Sequence, residues 1–355
     1  MSKKLNVAII GQGRSGMDIH GEYMLRDEAK KLYNVVAVVD WMKERRDRAK
    51  EIFGCDVYEN YTDLFGRDDI DLVINSTFSH YHCAVSEDLL NHGFNVVVEK
   101  PFGKFTLECE KVIAAAKKSG KMFSIFQQSR FAPYYEEVKE IIKSGVLGEI
   151  HHISIKFSGF KRRWDWQCSN RYYAGALLNT GPHPLDQALD LLDTDDMPNV
   201  FSSLKRINSN GDAEDYVKLI LTYPGRPLID LEINGVDAYN DRVYDIYGEK
   251  GSLIAGYDKI KYKYHDDKPM PQFTLEPITK EDGVTPSMCV EELSWHEVEK
   301  DVEGTVFVEG TNKYYENIYN HLVNGEELAI KPEKILQQIR VIELVHAQNP
   351  MPTLY

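Results

Sequence analysis

Residues 5–16 read Leu-Asn-Val-Ala-Ile-Ile-Gly-Gln-Gly-Arg-Ser-Gly, and they carry the strongest fold signal in the chain. A short apolar run is followed by Gly11, Gly13 and Gly16 in the spacing G-x-G-x-x-G. In such a turn the first glycine permits a tight bend and the second lets the backbone approach a pyrophosphate, while the third lets strand and helix pack closely. The stretch therefore predicts a strand, a phosphate-binding turn and a helix.

Strand-like and helix-like segments alternate around this turn through the first 127 residues. The predicted strands are Leu5–Ile10, Val35–Asp40, Asp71–Thr77, Asn95–Glu99 and Met122–Gln127, and the predicted helices are 15–32, 41–53, 79–92 and 106–118. The strand candidates are short, rich in Val and Ile, and not alternating, which is typical of strands buried on both faces. We therefore expect an α/β domain over residues 1–127, with a doubly wound parallel sheet.

The pattern changes at Gln128, where a second domain covering residues 128–355 is predicted to begin. Alternating apolar residues indicate strands with one buried face. They occur around 153–157, 217–221 and 229–233. Helices are expected near 133–144, 182–192, 312–323 and 333–347, and the polar segment 258–290 is expected to be loop with irregular strand. These features predict an α/β domain with a large, mostly antiparallel sheet.

Composition limits the classes of partner. The chain has 355 residues and a net charge of −14, which disfavours nucleic acid because that binding depends on clustered cations. A dinucleotide remains compatible, since backbone N–H groups at a helix start can hold its pyrophosphate. The five cysteines form no C-x-x-C pair, so no metal site is expected. We expect the cysteines to be free, buried thiols in a reducing compartment.

Membrane insertion and secretion are not expected. No apolar run approaches the roughly 18 residues that a membrane span requires. The first apolar stretch ends at Gly11, which is too short for a secretory signal, and it is better interpreted as a first strand. We therefore predict a cytoplasmic protein without a membrane partner.

An acidic residue follows the second predicted strand at the position expected for a ribose contact. Asp40 lies 24 residues after Gly16. Its carboxylate would accept hydrogen bonds from the adenosine ribose and repel a 2′-phosphate, which favours NAD over NADP. The nearby Lys43, Arg45 and Arg46 could weaken that preference. The predicted cofactor contacts in the turn are Gly11, Gln12, Gly13, Arg14, Ser15 and Gly16.

Polar residues also follow the third predicted strand. Thr77, His80 and His82 come where parallel strands present their carboxyl ends, which is the edge where ligands bind. These residues are therefore candidates for cofactor contact. Either histidine could equally be a helix-start residue with a local hydrogen bond.

The tripeptide Glu99-Lys100-Pro101 ends the fourth predicted strand. Charged residues are rarely fully buried, so a lysine at this position requires a reason. Partial burial and a cationic cofactor ring should lower the pKa of Lys100 towards the working range of a proton acceptor. The alternative is a strand-end lysine paired with Glu99.

Asn179 and His183 form a second polar cluster beside the predicted helix 182–192. The helix dipole favours a neutral imidazole near a helix N-terminus, and such a ring can accept a proton or orient a hydroxyl. Asn179 could hydrogen-bond the same hydroxyl. The alternative is a capping asparagine and a packed histidine.

Together these motifs resemble the glucose–fructose oxidoreductase / inositol dehydrogenase / MocA (Gfo/Idh/MocA) family over essentially the whole chain. The glycine turn resembles the cofactor turn of the family, and Glu99-Lys100-Pro101 resembles its most diagnostic tripeptide. The segment Gln128-Ser-Arg130 is similar to the family's asparagine-x-arginine segment, with Gln128 in place of asparagine. The segment 175–186 is similar to its glycine-rich aspartate-and-histidine motif.

The resemblance implies an N-terminal Rossmann domain and a second domain whose sheet commonly forms a homodimer or homotetramer interface. It implies Lys100 as acid/base, with His183 assisting or contacting substrate, and Glu99, Lys100 and Gln128 near the cofactor. One departure concerns Asn179, where the family usually has aspartate. An amide cannot take a proton, although it can still donate and accept hydrogen bonds. More of the proton transfer should therefore fall to Lys100 or His183.

A tryptophan-containing segment precedes this motif and is a candidate for substrate recognition. Arg163, Trp164 and Trp166 could contact a sugar, because indole faces stack on sugar rings and arginine can bind a carboxylate in bidentate fashion. Asn179 and His183 are included among the expected substrate contacts. The alternative is a packed tryptophan pair beside a solvated basic run.

The expected function is therefore NAD-dependent hydride transfer involving a secondary hydroxyl of a sugar, glycoside or cyclitol. Two alternatives remain open at this point. One is a glycosidase or lyase that uses bound NAD as an internal redox relay. The other is a non-catalytic binding protein that responds to sugar or NAD, which Asn179 favours and the intact Glu99-Lys100-Pro101 opposes.

Overall fold

A computed structural model describes residues 3–266, 278–288 and 290–354 of the chain. Its first sheet has six strands in the order β3-β2-β1-β4-β5-β6, and all neighbouring strands in it are parallel. The strands are β1 (Leu5–Ile10), β2 (Tyr33–Val39), β3 (Asp56–Tyr58), β4 (Leu72–Asn75), β5 (Val96–Val98) and β6 (Phe123–Ile125). The parallel doubly wound sheet predicted from the sequence is confirmed.

Helices connect these strands. After a π-helical turn at Arg14–Gly21 come α1 (Glu22–Met24), α2 (Ala29–Leu32), α3 (Lys43–Phe53), α4 (His82–Asn91) and α5 (Thr106–Ser119), with 3₁₀ turns at Tyr61–Leu64, Ser79–Tyr81 and Gln128–Phe131. The prediction of one helix over 15–32 is wrong in detail, because this segment is divided into three pieces. The strand β3 was not predicted; it has only three residues and carries no long apolar run.

The second sheet has eight strands in the order β14-β13-β12-β11-β7-β10-β9-β8. The strands are β7 (Ile150–Ser158), β8 (Asn199–Lys205), β9 (Tyr216–Thr222), β10 (Leu228–Asn234), β11 (Tyr244–Gly248), β12 (Gly251–Ala255), β13 (Lys259–His265) and β14 (Trp295–Asp301). Only the central β7–β10 pair is parallel among these described strands. A mostly antiparallel second sheet is confirmed.

The prediction of loop and irregular strand over 258–290 is wrong at its start. Residues 259–265 form a regular strand that pairs with β12 and β14. Their sequence, Lys-Ile-Lys-Tyr-Lys-Tyr-His, alternates cationic with larger apolar or aromatic side chains, which suits a sheet with one solvated face. Residues 267–277 and 289 of this prediction lie outside the described part of the chain.

Five further helices complete the fold: α6 (Pro133–Lys143), α7 (Ala176–Asn179), α8 (Pro182–Leu192), α9 (Thr311–Asn324) and α10 (Pro332–Gln348). Short 3₁₀ turns occupy Trp166–Cys168 and Asn170–Tyr172, and a π-helical turn at Val306–Gly310 precedes α9. Helix α8 buries Leu185, Leu189 and Leu192, as its spacing predicts. It packs against β7 and β10 of the second sheet.

The last two helices pack on the first sheet although they follow the second one in sequence. The hydroxyl of Tyr33 donates to the carbonyl of Tyr315 at 2.6 Å, and that of Tyr314 donates to Ser124 Oγ at 3.0 Å. Helix α10 contacts both β6 and β8, and so joins the two sheets. The domain boundary between residues 127 and 128 stays a prediction. Helices α9 and α10 both contact residues on the N-terminal side of that boundary.

The described part of the chain contains no helix long and apolar enough to cross a membrane. Cys55, Cys83, Cys109 and Cys168 are buried and free, and Cys289 lies outside the described residues.

Helix α10 provides a direct test of this packing. Ile342 is fully buried, whereas Leu344 is 38% exposed. We expect Ile342→Ala to lower the free energy of unfolding by about 2–5 kcal/mol, because it removes buried methyl groups and leaves a cavity. Leu344→Ala should cost well under half as much. Urea denaturation with both variants checks this, and equal losses would contradict the assigned helix face.

Candidate active site

A cleft of about 1110 Å³ opens at the carboxyl ends of the first sheet. Its walls come from the segments that follow β1, β2, β4 and β5 and from the turn after β6. Residues of the second domain close its other side. The site therefore lies at the edge of a parallel sheet where ligands of this fold class bind.

Two glycines of the turn, Gly11 and Gly16, are required because neighbouring backbone atoms leave no room for a side chain. Gly11 has φ +87°, and a Cβ there would lie 2.4 Å from the carbonyl oxygen of Ser76. A Cβ on Gly16 would lie 1.8 Å from the carbonyl oxygen of Gly11. Both positions exclude any larger side chain, and they bring the turn against β4 and the following helix.

Gly13 is different, because no described residue lies close enough to exclude a side chain there. Its φ is −74°, and the nearest atom to an added Cβ is Nη1 of Arg45 at 3.9 Å. Gly13 lines the cleft, directly before the start of the π-helical turn, which has no side-chain cap. The open space is where a phosphate group would approach the backbone N–H groups of a helix start.

A buried polar atom of a residue that lines the same cleft has no hydrogen-bond partner among the described residues. Gln128 is 3% exposed and lines the cleft, and its Oε1 has no hydrogen-bond partner in the described part of the chain. Leaving such an atom unsatisfied costs free energy. Gly13 and Gln128 together fit the binding of a polar ligand such as a dinucleotide.

Asp40 lies at the end of β2 and is only 4% exposed. Its Oδ2 accepts a hydrogen bond from the backbone N–H of Gln12 at 2.7 Å, and its Oδ1 accepts from that of Met42 at 2.8 Å. Nη1 of Arg45 lies 3.4 Å from Oδ2. The carboxylate thus fixes the glycine turn, and it lines the cleft beside the exposed ring of Trp41.

Lys100 follows β5 and reaches across the cleft to the second domain. Its Nζ donates to the backbone carbonyl of Asn179 at 2.9 Å. It forms no ion pair with any carboxylate in the described ranges, and Glu99 accepts instead from the backbone N–H of Lys100, at 3.0 Å. The side chains of Lys100 and Glu99 therefore form no direct ion pair.

Burial lowers the pKa of the Lys100 ammonium, and the charge of Glu99 opposes this by raising it. Arg14 and Arg163 lower the pKa of Lys100 further, and both residues line the cleft. The net direction is downward, which favours the neutral amine that can accept a proton.

Glu99 lines the cleft and is 4% exposed. Its Oε1 lies 3.2 Å from Nε2 of His20, whose Nδ1 lies 2.6 Å from the hydroxyl oxygen of Tyr315. Burial alone would raise the pKa of Glu99, but His20 and Lys100 lower it to about 2. The carboxylate thus stays ionised and partly balances the charge of the neighbouring ammonium.

His183 lies in the first turn of α8 and lines the cleft. Its Nδ1 lies 3.0 Å from Oγ of Ser129. Burial and the charge of Lys100 lower the pKa of His183 to about 3, so the ring is neutral at physiological pH. Asn179, at the end of α7, also lines the cleft.

Helix α8 is held in place by polar contacts to the segment after β6. Arg130 binds the carboxylate of Asp186 in bidentate fashion, at 2.7 and 2.6 Å, and contacts Asp190 at 3.1 Å. The amide of Gln187 donates to the carbonyl of Ser129 at 2.8 Å. These contacts fix His183 relative to the segment that follows β6.

Several predicted site residues have other surroundings. His82 lines the cleft, but Nδ1 lies 2.7 Å from the carbonyl oxygen of Pro101 and Nε2 lies 3.1 Å from that of Thr77. His80 does not line the cleft and packs against the rings of Tyr81 and Tyr172. Of the histidines, His82 thus supports the loop after Lys100.

The two tryptophans behave differently. Trp164 is 88% exposed and does not line the cleft. Trp166 lines the cleft, and its ring contacts that of Phe78 edge to face with centroids 5.1 Å apart. Arg163 lines the cleft too and pairs with Asp165 at 2.7 Å. The structure therefore brings Trp166 and Arg163, but not Trp164, to the other site residues.

Sequence reasoning missed several residues of the site. His20 is one turn beyond the glycine motif and gave no separate signal, because its partner Glu99 is distant in sequence. Trp41, Phe78 and Tyr173 line the cleft as scattered aromatic residues in loops. The position of Phe78, directly after Thr77, was the one usable signal, since it follows a strand end.

The glycine turn yields a matched pair of substitutions. We expect Gly13→Ala to change the free energy of unfolding by less than about 0.5 kcal/mol, and to weaken dinucleotide binding by about tenfold or more. Gly16→Ala should instead destabilise the fold by about 1–3 kcal/mol, because the backbone must shift. Thermal unfolding and titration with NAD measure both effects. Unchanged NAD affinity in Gly13→Ala would contradict the assigned phosphate approach.

Comparison with known proteins shows which family the chain resembles. Residues 5–127 match the model of an oxidoreductase family with an NAD-binding Rossmann fold, and residues 135–254 match the GFO/IDH/MocA C-terminal domain. The NADP(+)-dependent scyllo-inositol 2-dehydrogenase IolW of Bacillus subtilis is 25% identical over 96% of this chain and 92% of its own. A 2,7-anhydro-N-acetylneuraminate hydratase of Mediterraneibacter gnavus is 26% identical over 45% of this chain and 41% of its own.

The fold is shared with solved structures as well. The crystal structure of an NAD-binding protein from Listeria innocua superposes with a TM-score of 0.80 at 22% identity, covering 99% of this chain and all of the other. The matched ranges include the glycine turn, Lys100 and His183. The chain therefore belongs to the Gfo/Idh/MocA family of oxidoreductases, and its first domain is an NAD-binding Rossmann domain.

Proposed function

We propose that this protein is an NAD-dependent oxidoreductase that transfers hydride between nicotinamide and a secondary hydroxyl of a sugar, glycoside or cyclitol. The observation that carries the proposal is the position of Lys100. Its amine lies in the cleft at the end of β5, free of ion pairs with described carboxylates and 2.9 Å from the Asn179 carbonyl oxygen. The adjoining turn fits a dinucleotide.

The residues that would hold the dinucleotide line one end of the cleft. They are Gly11, Gly13, Arg14, Ser15, Asp40, Thr77 and Gln128. Asp40 supports NAD as the preferred cofactor, because a buried carboxylate repels a 2′-phosphate. Arg45 beside it supports some NADP use, and the relative from Bacillus subtilis is NADP-linked.

When bound, the nicotinamide supplies the hydride acceptor for oxidation and the hydride donor for reduction. In oxidation, the neutral amine of Lys100 takes the proton of the substrate hydroxyl as the carbon loses hydride. In reduction, the ammonium returns that proton to the new alkoxide. Burial lowers the pKa of Lys100, which favours the neutral amine relative to an ordinary lysine. Glu99 beneath it stabilises the ammonium that forms during oxidation.

His183 and Asn179 position the hydroxyl for Lys100. The imidazole is neutral, and its Nδ1 is paired with Ser129. The other ring nitrogen, Nε2, can therefore form one hydrogen bond with a substrate hydroxyl, as donor or as acceptor according to the tautomer. The Asn179 side chain can donate and accept but cannot carry the proton, which leaves that role to Lys100. We therefore assign His183 and Asn179 to substrate orientation.

The substrate end of the cleft suits a polar ring with apolar faces. Phe78 and Trp166 supply aromatic surface, and Arg163, Gln167 and Thr180 supply hydrogen-bonding groups. Sugars and cyclitols present such a combination of C–H faces and hydroxyl edges. A small-molecule substrate of this class is therefore proposed, while a cytoplasmic location and a homodimer or homotetramer remain predictions.

A second candidate is a lyase, glycosidase or hydratase that uses bound NAD as an internal redox relay. The hydratase from Mediterraneibacter gnavus supports it, because adding water to a double bond involves no net oxidation. The same Lys100 would then act on a proton without net change in the cofactor. Co-purification of tightly bound NAD, with product formed and no reduced nicotinamide released, would favour this candidate.

The proposal is tested with a panel of sugars, glycosides and cyclitols, each incubated with NAD and with NADP. We expect at least one compound to yield reduced nicotinamide, and Lys100→Met to lower kcat for it by about 10²–10⁴-fold with NAD affinity nearly unchanged. Lys118→Met, on the exposed face of α5, is the control and should retain full activity. Full activity in Lys100→Met would remove the lysine from the mechanism.

The pKa of Lys100 predicts the pH profile of the same reaction. Oxidation requires the neutral amine, so kcat/KM should rise with pH, with a midpoint below the roughly 10.4 of an ordinary lysine. The pKa of His183 is about 3, so its titration should not contribute between about pH 5 and 9. Rates measured across this range check the midpoint. A profile that falls with rising pH in the oxidation direction would contradict the assignment.

A further inference from the structure

A second pocket of about 210 Å³ opens off the substrate end of the cleft. The two spaces share the lining residues Lys161, Arg163, Gln167, Asn179 and Thr180. Asn179 stands at the junction, and its carbonyl accepts from Lys100. A molecule bound at Lys100 can therefore extend past Asn179 into this pocket. The reaction assigned to Lys100 does not itself require such a space.

Two polar atoms, each on a residue that lines the pocket, have no hydrogen-bond partner in the described ranges. Glu214 is 2% exposed, and its Oε1 accepts from the backbone N–H of Leu177 at 2.9 Å, but its Oε2 accepts no hydrogen bond. Oγ of Ser158 is also buried without a partner. Each such group costs free energy unless water or a ligand satisfies it. Burial raises the pKa of Glu214 to about 7, so its carboxyl group can serve as donor or acceptor near neutral pH.

The position of Glu214 depends on a glycine in the family motif. Gly175 has φ +101°, and a Cβ there would lie 2.5 Å from both carboxylate oxygens of Glu214. A side chain at this position would displace the carboxylate from the start of α7. Gly175 thus leaves room for the buried carboxylate of Glu214 against α7. Only Oε1 of that carboxylate accepts a hydrogen bond from the first turn of the helix.

The rest of the lining favours a neutral, hydroxyl-rich ligand over a charged one. Lys161 is cationic, and Asp215 is anionic but already accepts from the backbone N–H groups of Ile207 and Asn208. Asn179 and Asn234 add amides, and Phe157 and Tyr257 add aromatic surface with ring centroids 6.1 Å apart. Charges of both signs therefore face the same small space. Hydroxyl groups can satisfy both, because each one donates and accepts.

We propose that this pocket is a subsite for a second, uncharged polyhydroxylated ring, so that the substrate is a glycoside of at least two rings. The first ring presents its reacting hydroxyl to Lys100, and the second ring bonds to Glu214 Oε2 and Ser158 Oγ. This inference rests on the proposed function for the identity of the first ring. It specifies which of the sugar, glycoside and cyclitol classes the cleft is built to take.

The test is saturation-transfer NMR on the NAD-loaded protein. The probes are disaccharides of glucose and galactose in both anomeric linkages, with the monosaccharides and their methyl glycosides as one-ring controls. For at least one disaccharide we expect saturation of protons on both rings. The variant Ser158→Val should lower saturation of the second ring severalfold and leave the first ring nearly unchanged. Ser252→Val, on an exposed strand position outside both pockets, is the control.

Kinetics with the same compounds provide the second measurement. We expect kcat/KM for the favoured disaccharide to exceed that for its one-ring counterpart by about tenfold or more, and Ser158→Val and Glu214→Gln to remove most of this advantage. If Glu214→Gln fails to fold, Ser158→Val alone decides the question. One-ring compounds that match every disaccharide, or a Ser158→Val variant that binds both rings as the wild type does, would overturn the subsite. Turnover of one-ring compounds through Lys100 would still support the proposed oxidoreductase.

Discussion

An ammonium group at the end of a buried strand, with no described carboxylate against it, is the constraint on which the site depends. Removing an unpaired cation from water is unfavourable, and it shifts the group towards its neutral form. Glu99 is close enough to limit that shift, but it binds the backbone of Lys100 and His20 and not the ammonium. The amine therefore remains available to the cleft. A direct ion pair would have held it in the charged form.

The two domains meet at this amine. Lys100 follows β5 of the first sheet, while the carbonyl that receives its hydrogen bond belongs to α7 in the second domain. The bidentate Arg130–Asp186 pair fixes the neighbouring α8, and α10 joins both sheets. Because each domain contributes one side of the cleft, the geometry at Lys100 depends on how firmly α10 holds the two sheets together. A site on rigid helices and strand ends is more accurately positioned than one on free loops.

The sequence was sufficient to predict a feature of the structure where the residues that determine that feature are close together in the chain. The bounds of β1 were predicted as observed, because its apolar run and the following glycine turn are adjacent in the chain. Lys100, Asn179 and His183 were identified from strand ends and a helix start, and the structure brings them to one cleft. The alternation in 259–265 was also present in the sequence, but its lysines obscured it and β13 was missed.

The rest depends on contacts between residues distant in sequence. Nothing around His20 indicates that it lies against Glu99 and Tyr315, which are 79 and 295 residues away. Gly175 is part of a recognisable motif, but the sequence does not show why a glycine is needed there. In the folded chain the carboxylate of Glu214 occupies the space that a side chain would take. Trp164 is a different case, since its side chain has the right chemistry for a sugar contact but is 88% exposed and does not line the cleft.

The central claim is that the Lys100 amine exchanges a proton with the hydroxyl on the carbon that exchanges hydride. A crystal structure with NAD and the compound that the enzyme oxidises best would test it most directly. We expect Nζ of Lys100 within about 2.6–3.2 Å of that hydroxyl oxygen, on a carbon that faces the nicotinamide ring. A different side chain at that distance, with Nζ directed into solvent or towards the pyrophosphate, would contradict it.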